Sequence, residues 1–155
     1  MIPPAAARVQ SALQTLGVEC EVIVLAESAR TAAQAAAACG VAVGQIVKSL
    51  VFLAGEEPIL VLVSGANQAD ERRLGELSGQ TVRRADADVV RGATGYAIGG
   101  VPPVGHATAM RILVDRDLLA HAELWAAAGT PNAVFQLTPN ELVRMSQGTV
   151  ARIRK

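Results

Sequence analysis

Apolar positions along this chain change period several times, and each change predicts an element. Over residues 5–16 they recur at helical spacing (Val9, Leu13, Leu16), and Gly17 stops the run. Residues 20–25 centre on Val22 and Ile23 and predict a first strand. Thr31 and Gln34 form a capping box at the head of an alanine-rich helix that Gly40 closes. Residues 46–53 and 59–63 are nearly continuous β-rich runs joined by Gly55-Glu56-Glu57-Pro58, the pattern of a hairpin buried on both faces. Residues 67–77 read as a polar helix and 81–84 as a short strand, and Asp86 caps a helix reaching about Arg91. Three further strands are predicted over 111–114, 124–127 and 132–137. Thr138-Pro139-Asn140-Glu141 is a second capping box, with proline at the first helical position, and it opens a last helix through Met145. Strands and helices interleave irregularly around at least one hairpin. The expected fold is therefore a mixed-sheet α/β (α+β) domain, one unit over residues 1–155.

Composition narrows the function classes. Hydrophobic residues make up 51% and aromatics 3%, so alanine and valine must fill much of the core. The formal net charge is +0, which leaves no global field to draw the protein onto nucleic acid or an anionic membrane. Nucleic-acid contact then has to be local, at an end or a single nucleotide. Cys20 and Cys39 make no disulfide framework and no Cys-x-x-Cys pair, and they read as small hydrophobes in a reducing compartment. Pro3, Pro4 and Arg8 leave no apolar signal segment, and Lys48, Glu56 and Glu57 interrupt the most hydrophobic region. A cytoplasmic protein, monomer or homodimer, without membrane contact is expected.

Two features carry candidate chemistry. Residues 94–106 (Thr-Gly-Tyr-Ala-Ile-Gly-Gly-Val-Pro-Pro-Val-Gly-His) combine four glycines with two adjacent prolines. Glycine lets a backbone approach a ligand with no Cβ in the way, and the Pro-Pro step stiffens what glycine leaves loose. Such a turn with bare amides suits an anion, a carbonyl or a developing oxyanion, although a plain connecting loop has the same composition. The second feature is Lys48, which strand alternation places on the face of Ile46, Leu50 and Phe52. A lysine there must reach water, lose its proton or meet an anion. The alternative is a gatekeeper lysine on an edge strand.

Common motifs are absent. Gly44 and Lys48-Ser49 fail the spacing of a phosphate-binding loop, Gly95, Gly99 and Gly100 fail Gly-x-Gly-x-x-Gly, and Ser64-Gly65 is no nucleophile elbow. His106 and His121 lack ligands at metal spacing, so no metal site is expected. Arg72-Arg73, Arg83-Arg84 and the tail Arg152-Ile153-Arg154-Lys155 are small basic clusters. They read as solvated faces, with the tail disordered, or as peripheral phosphate contacts.

Taken together, residues 45–52 (Gln-Ile-Val-Lys-Ser-Leu-Val-Phe), Gly65, Thr94-Gly95-Tyr96 and Gly99-Gly100-Val101-Pro102-Pro103-Val104-Gly105-His106 resemble the YbaK/ProX family. These are aminoacyl-tRNA deacylases related to the editing insertion of bacterial prolyl-tRNA synthetase. The resemblance spans the chain from the Thr31 helix to the Glu141-Leu142 helix. It implies a curved, barrel-like mixed sheet surrounded by helices. It also implies a trans-editing deacylase that hydrolyses the ester between a wrong amino acid and the 3′ adenosine of tRNA. The implied partners are mischarged tRNA and an aminoacyl-tRNA synthetase, and neither cofactor nor metal is implied.

The family's strand lysine falls on Lys48, and its Gly-x-x-x-Pro loop falls on Gly99 to Pro103. Lys48 then serves as a fixed cation, and amides at Gly100 and Val101 hold the ester oxygen. Thr31, Ser49, Gly65, Gly99, Pro102, Pro103, Gly105, His106 and Ala127 are the expected substrate contacts, with His106 either an auxiliary acid–base or a structural residue. Cysteine-directed relatives have Ser-x-Gly where this chain reads Ala127-Ala128-Gly129, and Ser-Pro where it reads Pro102-Pro103, so cysteine is not the expected amino acid. A non-catalytic module binding a tRNA end or a small ligand in the same pocket is the alternative, and an unrelated scaffold using its Gly/Pro loop for protein contact is a further one.

Overall fold

The computed structural model describes residues 2–155 and contains five α-helices and eight strands. Helix α1 (Pro4–Thr15) begins with proline at its first position and buries Ala6, Val9 and Leu13. Strand β1 (Val22–Val24) follows, and then helix α2 (Ala32–Cys39). Both halves of its predicted capping box are present: Thr31 Oγ1 accepts from Gln34 N–H, and Gln34 Oε1 accepts from Thr31 N–H. Strands β2 (Ile46–Ala54) and β3 (Glu57–Ser64) form the hairpin. Its turn is tighter than expected, with Gly55 at φ +61°. Pro58 lies inside β3 opposite Leu53, at a position that gives its backbone no bond to β2.

Helix α3 (Glu71–Ser78), strand β4 (Val82–Arg84), helix α4 (Ala87–Thr94), strands β5 (Arg111–Asp115), β6 (Leu124–Ala127) and β7 (Ala133–Leu137), helix α5 (Pro139–Ser146) and strand β8 (Thr149–Ala151) complete the chain. All eight strands join one mixed sheet in the order β1-β7-β6-β2-β3-β5-β8, and β4 also pairs with β2. The expected mixed sheet is therefore present. It is open, ending on the short strands β1 and β8, and does not close into a barrel.

One face of the sheet packs against α1, α4 and α5, with Leu60, Leu62, Phe135, Leu124 and Leu142 at its centre. The other face, with Phe52, Ile59, Val61 and Leu113, is covered by Leu74 of α3 and by Ile153. No described helix is long and apolar enough to cross a membrane.

Four expectations need correction. Residues 67–70 are not helical: the Asn67 side chain is tied to Asp115 and Asp117, and Asp70 caps α3 by accepting from Arg72 N–H. The tail is ordered. Ile153 is fully buried, its carbonyl accepts from Asp70 N–H, and Arg154 pairs with Asp117 at 3.2 Å. Cys39 is only partly buried, whereas Cys20 is buried as expected. Finally, β3 is buried over residues 59–64 but β2 is not buried throughout, because Lys48, Ser49 and Leu50 are only half-buried. The reason is a break in the sheet beside them.

Candidate active site at a break in the sheet

Strand β2 has β3 along one edge for its whole length. Its other edge is shared. The parallel strand β6 covers Ile46 and Val47, and the antiparallel strand β4 covers Phe52 to Ala54. Between them the edge is uncovered, and a cavity of about 300 Å³ opens there. Its walls come from the Ala29–Ala35 region, from β2, from Arg84 and Ala85, from Gly99 and Val101 of the Gly/Pro loop, and from Trp125 to Ala127 of β6. Alanines contribute much of this lining.

Lys48 reaches the cavity from the half-buried part of β2, and its Nζ donates to the Asn67 carbonyl at 2.5 Å. Asn67 is itself fixed, since its amide donates to Asp115 and to Asp117, both at 2.9 Å. Asp115 is fully buried and also accepts from Ser64 N–H and Asp117 N–H. Burial pushes the Lys48 ammonium below the ordinary lysine value, the nearby Arg84 charge pushes the same way, and Asp115 opposes both. Among the described residues Lys48 has no carboxylate within ion-pair distance. With Arg84 and Arg30 it gives the cavity three cationic residues and no anionic one. That arrangement suits a phosphate or a carbonyl under attack.

The Gly/Pro loop is anchored from several sides. Thr94 Oγ1 donates toward the Val90 carbonyl, Arg8 lies over the buried Tyr96 ring at 4.6 Å, and an Arg8 guanidinium N–H donates to the Gly95 carbonyl. Gly99 has φ +93°, where side chains are strained. At Gly100 a Cβ would stand 2.6 Å from the Gly129 carbonyl oxygen, so this close approach needs glycine. The Gly100 N–H donates to the Ala97 carbonyl, and the Gly100 carbonyl accepts from Gly129 N–H. The Val101 amide makes no such bond among the described residues.

Thr31, Lys48, Ser49, Gly99, Val101 and Ala127 all line the cavity. The remaining expected site residues stand outside the lining. A Cβ on Gly65 would meet the Val43 carbonyl at 2.4 Å, so this glycine seats the segment before β2 against the end of β3. Pro102 and Pro103 are buried behind the loop, Gly105 is exposed, and His106 is half-buried with Nε2 2.7 Å from the Pro102 carbonyl oxygen. Burial holds the His106 pKa below the ordinary histidine value, against a smaller upward effect of that hydrogen bond. Its geometry braces the loop. Sequence reasoning missed Asn67, Asp115 and Trp125. Only a polar residue closing an apolar strand run marked Asp115, and only its being the one tryptophan marked Trp125.

An open mixed sheet with a small cavity at its centre, lined by three cationic residues and closed on one side by an anchored glycine loop, defines an α/β domain with a candidate ligand site. Comparison with known proteins specifies it. Residues 26–145 match the model of the aminoacyl-tRNA editing domain, and the chain belongs to that family. It is 33% identical over 120 residues to the uncharacterized protein YwhH of Bacillus subtilis (strain 168), covering 77% of this chain and 76% of that one. Over 75 residues, 48% of this chain, it is 38% identical to the proline–tRNA ligase of Lactobacillus gasseri, of which the match spans 13%. A crystal structure of a candidate trans-editing enzyme for prolyl tRNA synthetase superposes with a TM-score of 0.97 at 47% identity, covering 100% of this chain and 99% of that one.

Proposed function

We propose that this protein, as one unit over residues 1–155, is a trans-editing deacylase that hydrolyses the ester of a mischarged aminoacyl-tRNA without a metal. The observation that carries the reading is the convergence of Lys48 and the Gly99–Val101 loop on a single cavity. Family membership, the match to a segment of a proline–tRNA ligase and the likeness to the candidate trans-editing enzyme support it. An aminoacyl ester is already activated, so attack needs positioning and charge stabilisation more than a strong nucleophile. Lys48, Arg84 and Arg30 take phosphates of the single-stranded 3′ end and orient its terminal adenosine. The Val101 amide, whose neighbour at Gly100 is engaged with Ala97, stabilises the ester oxygen as it gains charge.

The cavity lining includes no Asp, Glu, His or Cys. The proton from the attacking water is therefore relayed by a group on the substrate, such as the free ribose hydroxyl, to the ribose oxygen that leaves as the acyl–oxygen bond breaks, and not to a protein base. About 300 Å³ is at the small end of ligand sites and fits an aminoacyl group of modest size. Ala127 offers no hydroxyl to a thiol, which disfavours cysteine, and apolar walls separate near-isosteres poorly. A cytoplasmic location and contact with an aminoacyl-tRNA synthetase follow from the same reading.

The absence of a base also favours a second reading, a module that binds aminoacylated tRNA ends without turnover. A panel of mischarged tRNAs, assayed for amino-acid release, separates the two. The deacylase reading expects release of one or a few amino acids by the wild type, reduced about 100-fold in Lys48→Ala. Binding without release by the wild type would leave the second reading.

A further inference from the structure

The backbone groups of successive β2 residues alternate between its two edges. The Ile46 carbonyl accepts from Gly65 N–H at 2.7 Å, so Ile46 faces β3, as do Lys48 opposite Val63 and Leu50 opposite Val61. Val47, Ser49 and Val51 must then turn their N–H and C=O groups to the opposite edge. Val47 lies in register with Ala126 of β6, and the Val51 carbonyl accepts from Ala85 N–H at 3.2 Å. Ser49 stands between them with no strand beside it, and it lines the cavity. Two further polar atoms at this place are buried without a hydrogen-bond partner among the described residues, Ser49 Oγ and the Trp125 indole N–H. Buried polar groups are rarely left so, but the feature that marks a place for a ligand is the Ser49 main-chain edge, uncovered between β6 and β4 and opening on the cavity.

The size of the break identifies the ligand's polar part. Val47 and Val51 are roughly 13 Å apart along an extended strand, and the single residue Ser49 faces the opening. One amino-acid unit fits such a space. An α-aminoacyl ester carries an ammonium donor and a carbonyl acceptor in the same relation as the N–H and C=O of one strand residue. Resting on the deacylase reading, we infer that the aminoacyl group of the substrate completes the sheet here. Its α-ammonium donates to the Ser49 carbonyl, and its ester carbonyl accepts from Ser49 N–H. The missing rung of the ladder is thus supplied by the substrate, and recognition of the amino acid's backbone atoms is independent of its side chain.

The test uses two non-hydrolysable probes, 3′-alanylamido-3′-deoxyadenosine and its propionylamido counterpart, which lacks only the α-amine. In the free protein the Ser49 amide should exchange with solvent faster than the ladder-bonded amides of Lys48 and Leu50. Saturation with the alanylamido probe should slow Ser49 exchange at least tenfold, and the propionylamido probe should bind at least tenfold more weakly. Ser49→Pro removes an N–H that no strand uses and should lose the same tenfold in affinity; if that variant does not fold, amide exchange in the wild type carries the test alone. An unprotected Ser49 amide, or equal affinity for the two probes, overturns the inference even if the wild type hydrolyses aminoacyl-tRNA. Conversely, protection at Ser49 without turnover of any aminoacyl-tRNA upholds the inference and overturns the deacylase reading.

Discussion

Lys48 carries a charge that its surroundings oppose more than they support. Burial and Arg84 lower its pKa while Asp115 raises it. If Lys48 acts as a cation, turnover falls as pH rises through its folded-state pKa, so the alkaline limb of the rate profile should begin below the ordinary lysine value. Arg84→Gln removes a lowering influence and should move that limb to higher pH. Asp115→Asn removes a raising influence and should move it lower. Profiles of kcat/KM, which report the free enzyme's groups, on the folded variants and corrected for spontaneous ester hydrolysis, test the pair, and shifts in the same direction would exclude Lys48 as the titrating group.

Gly100 makes a different kind of claim. A methyl group there would meet main chain at Gly129, which cannot rotate away. Gly100→Ala should cost about 1–3 kcal/mol of stability in urea unfolding and should displace the loop from the cavity. Gly99 has only the Pro131 ring at 4.0 Å, so Gly99→Ala meets strain from its positive φ without a clash, and should cost about 1 kcal/mol.

Among the elements, the strand hairpin and the two capping boxes were legible because their signals are local: a 46–53 apolar run, a Gly-containing turn, and Thr with Gln or Glu three residues on. Strand β8 and the extended 67–70 segment were not. Both owe their form to partners distant in sequence. Val150 pairs with Val114, Ala69 bridges to Arg154, and Lys155 N–H donates to the Gln68 carbonyl. A helical pattern over 67–77 lost to these contacts at its first turn. Of the candidate site, Lys48 and the glycine loop were legible as residues that meet at one cavity, but the break in the sheet was not, since pairing of β2 with both β6 and β4 is a fact of topology. The tail has a consequence for the site. Ile153 holds down the segment whose Asn67 carbonyl fixes Lys48, so Ile153→Ala should cost about 3 kcal/mol in unfolding free energy. At temperatures where the variant stays folded it should also lower kcat, because Lys48 loses its fixed partner. Unchanged kcat would uncouple the tail from the site.

For the whole molecule, a formal net charge of +0 sets how tRNA is approached. No net charge steers encounter from a distance, and the cavity itself offers three cationic residues, Lys48, Arg84 and Arg30. If each neutralises one phosphate of the single-stranded 3′ end, a plot of log affinity against log salt should have a slope of about −2. A slope near zero would mean that these cations meet no phosphate, and a much steeper one would require basic surface beyond the cavity. The opening beside Ser49 also bears on solubility. Sheet proteins that leave a long edge bare invite another chain to add a strand, the first step toward aggregates. Here the bare length is one rung, blocked at both ends by β6 and β4, and the outer edges of the sheet are three-residue strands. A foreign polypeptide has too few rungs to grip, while a single amino acid has enough.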